Sequence, residues 1–311
     1  MRILVTCPPM IGAQKHFLPM FAELGWEAVI PEFTQVMTEA ELCDLLPTCD
    51  GWIIGDDPAT RAVFEAGKAG QLRAVVKWGV GVDNVDFDAC QDLGLPVSNT
   101  PNMFGQEVAD VAMGYVIGLA RQLFEIDAKV RQGNWFKPQG QSLTGKKVGV
   151  VGYGDIGRNT CHRLLAFGMD VQTWDPSFKP EDMEAKVTHK VWPQGLEDCD
   201  YVVFTCALNE ATQHMLNAQS LANCKVGVRI VNVARGPLID ETELLAALAS
   251  GHVAAAALDV FEVEPLSTEH ALLSMPNVLV GSHNGSNTFE GVMRATTRAI
   301  DLMRGFLSDT A

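Results

Sequence analysis

Lys146-Lys147-Val148-Gly149-Val150-Val151-Gly152-Tyr153-Gly154-Asp155-Ile156-Gly157 decides how this chain is read. A short β-branched run leads into G-x-G-x-x-G, and a helical pattern, Ile156–Phe167, follows at once. Alone the glycine pattern is a weak signal, because any glycine-rich turn would satisfy it. Its place between a strand and a helix gives each glycine a physical task. Gly152 permits the tight turn, Gly154 lets the backbone approach a pyrophosphate, and Gly157 allows close helix–strand packing. The helix start adds unpaired N–H groups and a positive dipole end for phosphate. The next strand, Met169–Trp174, ends at Asp175, eighteen positions after Gly157. An acid there accepts the adenosine ribose hydroxyls and repels a 2′-phosphate. No Arg follows it directly, so the spacing predicts a site for NAD rather than NADP.

Outward from this stretch, β-branched runs alternate with helical patterns along the whole chain, which predicts an α/β protein built on parallel sheets. Upstream the strands are Ile3–Thr6, Ala28–Ile30, Trp52–Ile54, Val75–Lys77 and Pro96–Ser98, with helices at Thr38–Leu46 and Thr60–Ala69. One long helix is expected from about Glu107 to Gln132. Downstream come strands at Val171–Trp174, Tyr201–Thr205, Arg229–Val233, Ala255–Asp259 and Val278–Val280, then an amphipathic helix, Thr288–Leu307. Each half reads as its own doubly wound sheet. The division falls near Thr100, giving residues 1–100 plus 286–311 as one domain and 101–285 as the NAD-binding domain; the last helix taken alone could pack on either. A cleft between two domains is a favoured ligand site.

The 311 residues are 47% hydrophobic and 20% charged, ordinary globular usage that excludes disorder as the dominant state. Against 23 basic residues stand 38 acidic ones, a net charge of −15. Such a chain repels nucleic acid and anionic lipid unless a basic patch intervenes, and Lys146-Lys147 is the longest pure basic run. Neither nucleic acid nor membrane is therefore expected as a partner. Eight cysteines lie scattered without C-x-x-C and read as reduced, buried thiols. His16, His162, His189, His214, His252 and His270 lack paired ligand spacing, so no metal site is expected. With no cleavable leader and no apolar run of membrane-spanning length, a soluble, cytoplasmic protein is expected.

Three polar positions fall at the C-terminal ends of later strands, where an open α/β sheet presents its ligands. Arg235 ends Ile230-Val231-Asn232-Val233-Ala234-Arg235-Gly236, Glu264 follows Leu258-Asp259-Val260-Phe261-Glu262-Val263, and His283 ends Val278-Leu279-Val280-Gly281-Ser282-His283. Singly, each has a plainer account: Arg235 could brace its loop, Glu264 could be a solvated acid before Pro265, and His283 could cap the sheet. Together they suit a 2-oxo acid. Arg offers a bidentate fork to its carboxylate, His a proton donor near working pH, and a carboxylate a partner that orients the imidazole. The cofactor would deliver the hydride.

The ordered set of motifs resembles the D-isomer-specific 2-hydroxyacid dehydrogenase family, which includes phosphoglycerate dehydrogenase, over nearly the whole chain. It comprises Trp78-Gly79-Val80-Gly81-Val82-Asp83-Asn84-Val85-Asp86, Val97-Ser98-Asn99-Thr100-Pro101 with Val108-Ala109-Asp110, and the glycine loop. Val231-Asn232-Val233-Ala234-Arg235-Gly236-Pro237-Leu238-Ile239-Asp240 and Leu258-Asp259-Val260-Phe261 through Glu264-Pro265 complete it. The resemblance implies a flavodoxin-like substrate domain beside a Rossmann domain, with Arg235 binding substrate, His283 as acid/base and Glu264 as its partner. It implies that Val80 and Gly81 offer backbone N–H groups to the substrate carboxylate. Gly152, Gly154, Asp155, Ile156, Gly157, Asp175, Cys206, Ala234, Asp259 and Gly285 would line the NAD, with Asp259 near the nicotinamide carboxamide. A homodimer through the NAD-binding domain, helped by the long helix, is also implied. The contrasting reading is a non-catalytic NAD(H)-responsive module of the co-repressor type.

Some positions depart from the family pattern. Ser282 stands where a Pro is common, and Cys206 replaces a Thr, a weaker hydrogen-bonding group. Phosphoglycerate-specific members carry an Arg-Ser pair after the third strand, where this chain has Gly55-Asp56-Asp57-Pro58-Ala59-Thr60. Two acids would repel a substrate phosphate. A chain ending at 311 is also expected to lack the C-terminal regulatory domain of long phosphoglycerate dehydrogenases. Lys77 and Arg61 could offset those acids, and Lys77, before the Gly79–Gly81 turn, could approach substrate; the plainer readings are a hydrated strand-end lysine and a solvated helix face, with Trp135 a packing residue without chemistry.

Overall fold

Strands such as Gly51-Trp52-Ile53-Ile54 and Tyr201-Val202-Val203-Phe204 are apolar on both faces, and each is buried along its whole length. That pattern suits a parallel sheet covered on both sides by its crossover helices. The computed structural model describes residues 1–179, 181 and 186–309. In order, it contains β1 (Arg2–Val5), α1 (Pro8–Gly12), α2 (Gln14–Glu23), β2 (Glu27–Val29), α3 (Glu39–Leu45), β3 (Gly51–Ile54), α4 (Arg61–Ala69), β4 (Ala74–Lys77), α5 (Phe87–Asp92) and β5 (Val97–Asn99). Then follow α6 (Gly105–Arg121), α7 (Leu123–Arg131), β6 (Lys147–Val151), α8 (Asp155–Ala166), β7 (Asp170–Trp174), β8 (Val187–Lys190) and β9 (Tyr201–Phe204). The chain continues with α9 (Ala218–Ala222), β10 (Val228–Asn232), α10 (Glu241–Ser250), β11 (Val253–Leu258), β12 (Val278–Val280) and α11 (Phe289–Asp309). These form two compact units, Met1–Met103 with Asn287–Ala311, and Phe104–Ser286.

In the first unit five parallel strands lie in the order β2-β1-β3-β4-β5. Trp52 sits at its centre, fully buried, with Nε1 donating to Thr6 Oγ1 at 2.9 Å. The last helix belongs to this sheet: Trp78 Nε1 donates to Thr296 Oγ1 at 3.2 Å, and a Cβ on Gly51 would stand 2.6 Å from Met303 Sδ. Beyond β3, the buried Asp57 accepts from Met37 N at 2.9 Å, Gly55 N at 3.2 Å and the Thr6 hydroxyl. Burial pushes its carboxyl above the ordinary value.

Lys77 overturns its sequence reading. Its side chain is only 2% exposed, and Nζ donates to the Gly55 carbonyl and to Asp56 Oδ1, the latter at 2.9 Å. The residue ends a central strand, so its stem is enclosed by neighbouring strands and its ammonium meets the loop that leaves β3. Arg61 does lie on an exposed helix face, paired with Asp92 at 2.8 Å.

In the second unit seven parallel strands lie in the order β12-β11-β10-β9-β6-β7-β8. The single helix expected over 107–132 is two helices, because Gln122 adopts a left-handed conformation (φ +53°) between α6 and α7. Its side-chain amide donates to Gln139 O at 3.1 Å, a long-range bond that apolar periodicity does not encode. Strand β8 went unpredicted, since Val-Thr-His-Lys at a sheet edge has no apolar run. Lys147 pairs with Asp198 at 3.1 Å and Lys146 with Asp200 at 3.8 Å, so the longest basic run is neutralised within the fold. Among the described residues no helix is long and apolar enough to cross a membrane.

Trp52→Ala should destabilise the first unit by about 3–5 kcal/mol, the cost of a large cavity in a closed core. Urea unfolding followed by far-UV circular dichroism would show it, and an unchanged midpoint would contradict this packing.

Candidate active site

Because all seven strands of the second sheet are parallel, their C-terminal ends share one edge, and the loops leaving that edge are brought side by side. After β6 the chain winds outward through β7 and β8, then crosses to β9 on the other flank of β6. This reversal of strand order is where open α/β sheets place dinucleotides.

The loop after β6 carries the glycines. Gly152 has φ +93°, and a Cβ on it would stand 2.8 Å from the backbone of Cys206. A Cβ on Gly157 would stand 2.1 Å from Gly152 O. The fold itself thus requires both. Gly154 differs: among the described residues, its own chain neighbours aside, nothing lies within 4 Å of a Cβ built there. It opens helix α8, whose first-turn N–H groups have no intrahelical acceptor. A glycine unexplained by the protein, placed before such donors, fits close approach of a pyrophosphate. Asp175, one residue past β7, staples the loop: Oδ2 accepts from Tyr153 N at 2.6 Å and Oδ1 from Ser177 N at 2.7 Å. Remaining lone pairs on that carboxylate suit ribose hydroxyls. The residues present therefore fit NAD.

Asp155 and Ile156 begin α8, but the Asp155 carboxylate turns toward α6 and fills the space a Cβ on Gly105 would need, 2.2 Å from Oδ1. Its Oδ1 accepts from Asn159 Nδ2 at 3.2 Å. Backbone, not carboxylate, is what this position offers a phosphate. Cys206, two residues past β9, packs its sulfur 3.9 Å from Met215 Sδ, and burial pushes the thiol up to about 12, so it stays protonated.

At the other end of the edge, neighbouring strands β10, β11 and β12 deliver the polar trio. Arg235 follows β10 on a turn built by the buried Asn232: Oδ1 accepts from Ala234 N at 3.0 Å and Nδ2 donates to Arg235 O at 2.8 Å. Arg235 Nη1 donates to Ala234 O at 2.9 Å. Glu264 follows β11, with Oε1 accepting from Phe261 N at 2.9 Å. Its Oε2 lies 2.7 Å from His283 Nδ1, and both side chains are just over one-fifth exposed. That contact orients the imidazole ring. His283 itself is left-handed (φ +54°), held by its N–H donating to Asp259 O at 2.7 Å. Asp259 Oδ2 accepts from Gly285 N at 2.9 Å, closing the turn.

Residues 113–285 match the family model described as the NAD binding domain of D-isomer specific 2-hydroxyacid dehydrogenase. The chain belongs to that family. It is 36% identical over 266 residues to a hydroxypyruvate reductase of Thermotoga maritima, covering 84% of this chain and 86% of the relative. It is also 36% identical over 283 residues to D-3-phosphoglycerate dehydrogenase of Rattus norvegicus, covering 87% of this chain but only 52% of that protein. Among solved structures, the TT0316 protein of Thermus thermophilus superposes with a TM-score of 0.85 at 30% identity, covering 98% and 97% of the two chains. The two parallel sheets with interleaved helices are the family's α/β architecture.

For this member of the 2-hydroxyacid dehydrogenases, sequence reasoning missed the residues that hold the trio. Asn232 was legible, since a buried amide amid Val231 and Val233 must build something. Glu241 and Glu262 clamp α10 to the Glu264 loop: Glu241 Oε1 accepts from Glu262 N at 2.7 Å and Glu262 Oε1 from Glu241 N at 3.3 Å. Burial pushes the Glu241 carboxyl up. His214 and His270 join this clamp, 2.8 Å from Glu262 and 3.3 Å from Glu241 respectively. No local spacing announces any of these four.

Gly154→Ala should leave unfolding of the free protein unchanged yet weaken NADH at least about tenfold, roughly 1.4 kcal/mol. Gly157→Ala, which drives a methyl into Gly152 O, should lower the melting temperature as well. Fluorescence titration and calorimetry separate the two.

Proposed function

We propose that this chain is an NAD-dependent D-2-hydroxyacid dehydrogenase moving a hydride between NAD(H) and a small 2-oxo or 2-hydroxy acid. The observation that carries it is the 2.7 Å contact of His283 Nδ1 with Glu264 Oε2, beside the strand end that bears Arg235. A binding module needs no buttressed imidazole at that place. The Arg235 guanidinium takes the substrate carboxylate as a fork. NADH, held at the glycine loop and Asp175, would supply the hydride for the carbonyl carbon. As the C=O π bond opens, His283 Nε2 gives its proton to the carbonyl oxygen, while Glu264 holds Nδ1 and balances the positive ring. In the oxidative direction the same nitrogen takes the hydroxyl proton.

In this reading the first unit binds the rest of the substrate, with Val80 and Gly81 offering backbone N–H groups to its carboxylate. Their loop is braced by Asn99 Nδ2 donating to Val80 O at 3.0 Å and by Gly79 N donating to Thr100 Oγ1 at 2.8 Å. Lys77 is committed to Gly55 and Asp56. That commitment, with Asp56 beside it, favours an unphosphorylated acid such as glyoxylate or hydroxypyruvate.

The proposal extends to a homodimer in the cytoplasm, joined through the NAD-binding unit. Leu123, Phe124 and Val130 on α7 and Trp135 beyond it are 40–77% exposed, apolar side chains close in sequence that a partner copy would cover. Trp135, expected to pack, packs little within its own chain.

His283→Ala should lower turnover about 100-fold or more in NADH oxidation with 2-oxo acids while leaving NADH affinity intact; near-parental turnover would remove the acid/base role. Phe124→Glu or Trp135→Glu should convert a two-chain species to one in sedimentation velocity. A parent already sedimenting as one chain would sink the dimer.

A further inference from the structure

One carboxylate governs the turn that presents His283. Asp259 is 3% exposed, and it acts in three directions. Its carbonyl accepts from His283 N at 2.7 Å, its Oδ2 accepts from Gly285 N at 2.9 Å, and its Oδ1 accepts from the Tyr115 hydroxyl at 3.2 Å. The last partner comes from far away in sequence, on helix α6. Most residues around it on α6 are Gly, Ala, Val or Met, so the phenol is the side chain there that carries a donor to the end of β11.

The space for that hydroxyl is made by a glycine. A Cβ on Gly281 would stand 2.3 Å from the Tyr115 oxygen and 2.1 Å from Asp259 Oδ1. Gly281 has no left-handed backbone that would by itself demand glycine. Room, not conformation, is what the missing side chain provides. Any residue larger than Gly at 281 would push the carboxylate or the phenol aside, and the backbone bond from Gly281 N to Leu258 O at 2.7 Å prevents the strand from retreating.

We infer that Tyr115 is a positioning residue whose hydroxyl, in the space left by Gly281, fixes the Asp259 carboxylate and through it the His283 turn. This rests on the dehydrogenase reading, in which His283 handles the proton and Asp259 lies by the nicotinamide. A buried carboxylate with both oxygens occupied by donors has one orientation, and an unmade bond to a buried charge is costly. The phenol remains a donor throughout the working pH range, since burial and the adjacent Asp259 both push its ionisation up.

Tyr115→Phe removes one oxygen and keeps the ring. It should lower kcat per NADH-binding site about tenfold, the worth of a hydrogen bond to a charged group, while KM for the 2-oxo acid, set by Arg235, stays within about twofold. A merely structural role would instead reduce the number of sites and leave kcat per site unchanged. The second reading is independent of turnover. Gly281→Ala should lower the melting temperature of the cofactor-free protein clearly in the parent, and distinctly less in the Tyr115→Phe background, where the phenol oxygen no longer occupies the space. Parental kcat in Tyr115→Phe, or strictly additive melting losses, would overturn the inference alone. A parent silent with glyoxylate, hydroxypyruvate and pyruvate would overturn the dehydrogenase reading and this inference with it.

Discussion

Parallel strand pairing is the constraint from which the rest follows. A parallel neighbour cannot be reached by a tight hairpin, so each strand must be followed by a crossover that returns the chain to the same starting edge. Both sheets obey this at every pairing. The loops at the opposite edge are consequently spared the work of connecting adjacent strands tightly, and chemistry collects there. In the second unit that edge runs from Asp175 after β7, past the glycines after β6, to Arg235, Glu264 and His283 after β10, β11 and β12. The glycine loop with Asp175 and the Arg235, Glu264 and His283 trio are thereby set along one line.

Carboxylates do much of the local holding in this acidic chain. Asp57, Asp175, Asp259 and Glu264 each follow a strand, and each accepts one or more backbone N–H groups of the turn it belongs to. Turns leaving a parallel sheet have donors with no ladder partner, and an ionised oxygen satisfies them more strongly than a neutral one. Glycines supply the complementary half, giving room where a carboxylate or carbonyl must come close, as at Gly105 beside Asp155 and Gly157 beside Gly152.

This division explains what the sequence made legible. Strands with continuous β-branched runs, the glycine loop before α8 and the acid after β7 are local patterns, and they lie where periodicity and spacing place them. Arg235, Glu264 and His283 were visible because each ends a strand. Features that rest on long-range contacts were not: the left-handed break at Gln122 is held by Gln139, the enclosure of Lys77 by Gly55 and Asp56, and the clamp of Glu241 by Glu262. Strand β8 was missed for the opposite reason, since an edge strand exposed to water needs little apolar character.

The first unit is assembled from two stretches far apart in the sequence. Helix α11 fills its sheet through Thr296 and Met303, yet the 183 residues of the second unit intervene between it and β5. On a ribosome adding about 5–20 residues per second, the N-terminal strands must wait on the order of 10–40 s for the helix that covers them. The intervening unit, continuous in sequence, can close first. Nascent chains of this protein thus emerge with Ile3, Gly51 and the rest of the sheet face that meets Met303 unsheltered by that helix for the interval, a window in which holding chaperones have apolar strand surface to grasp.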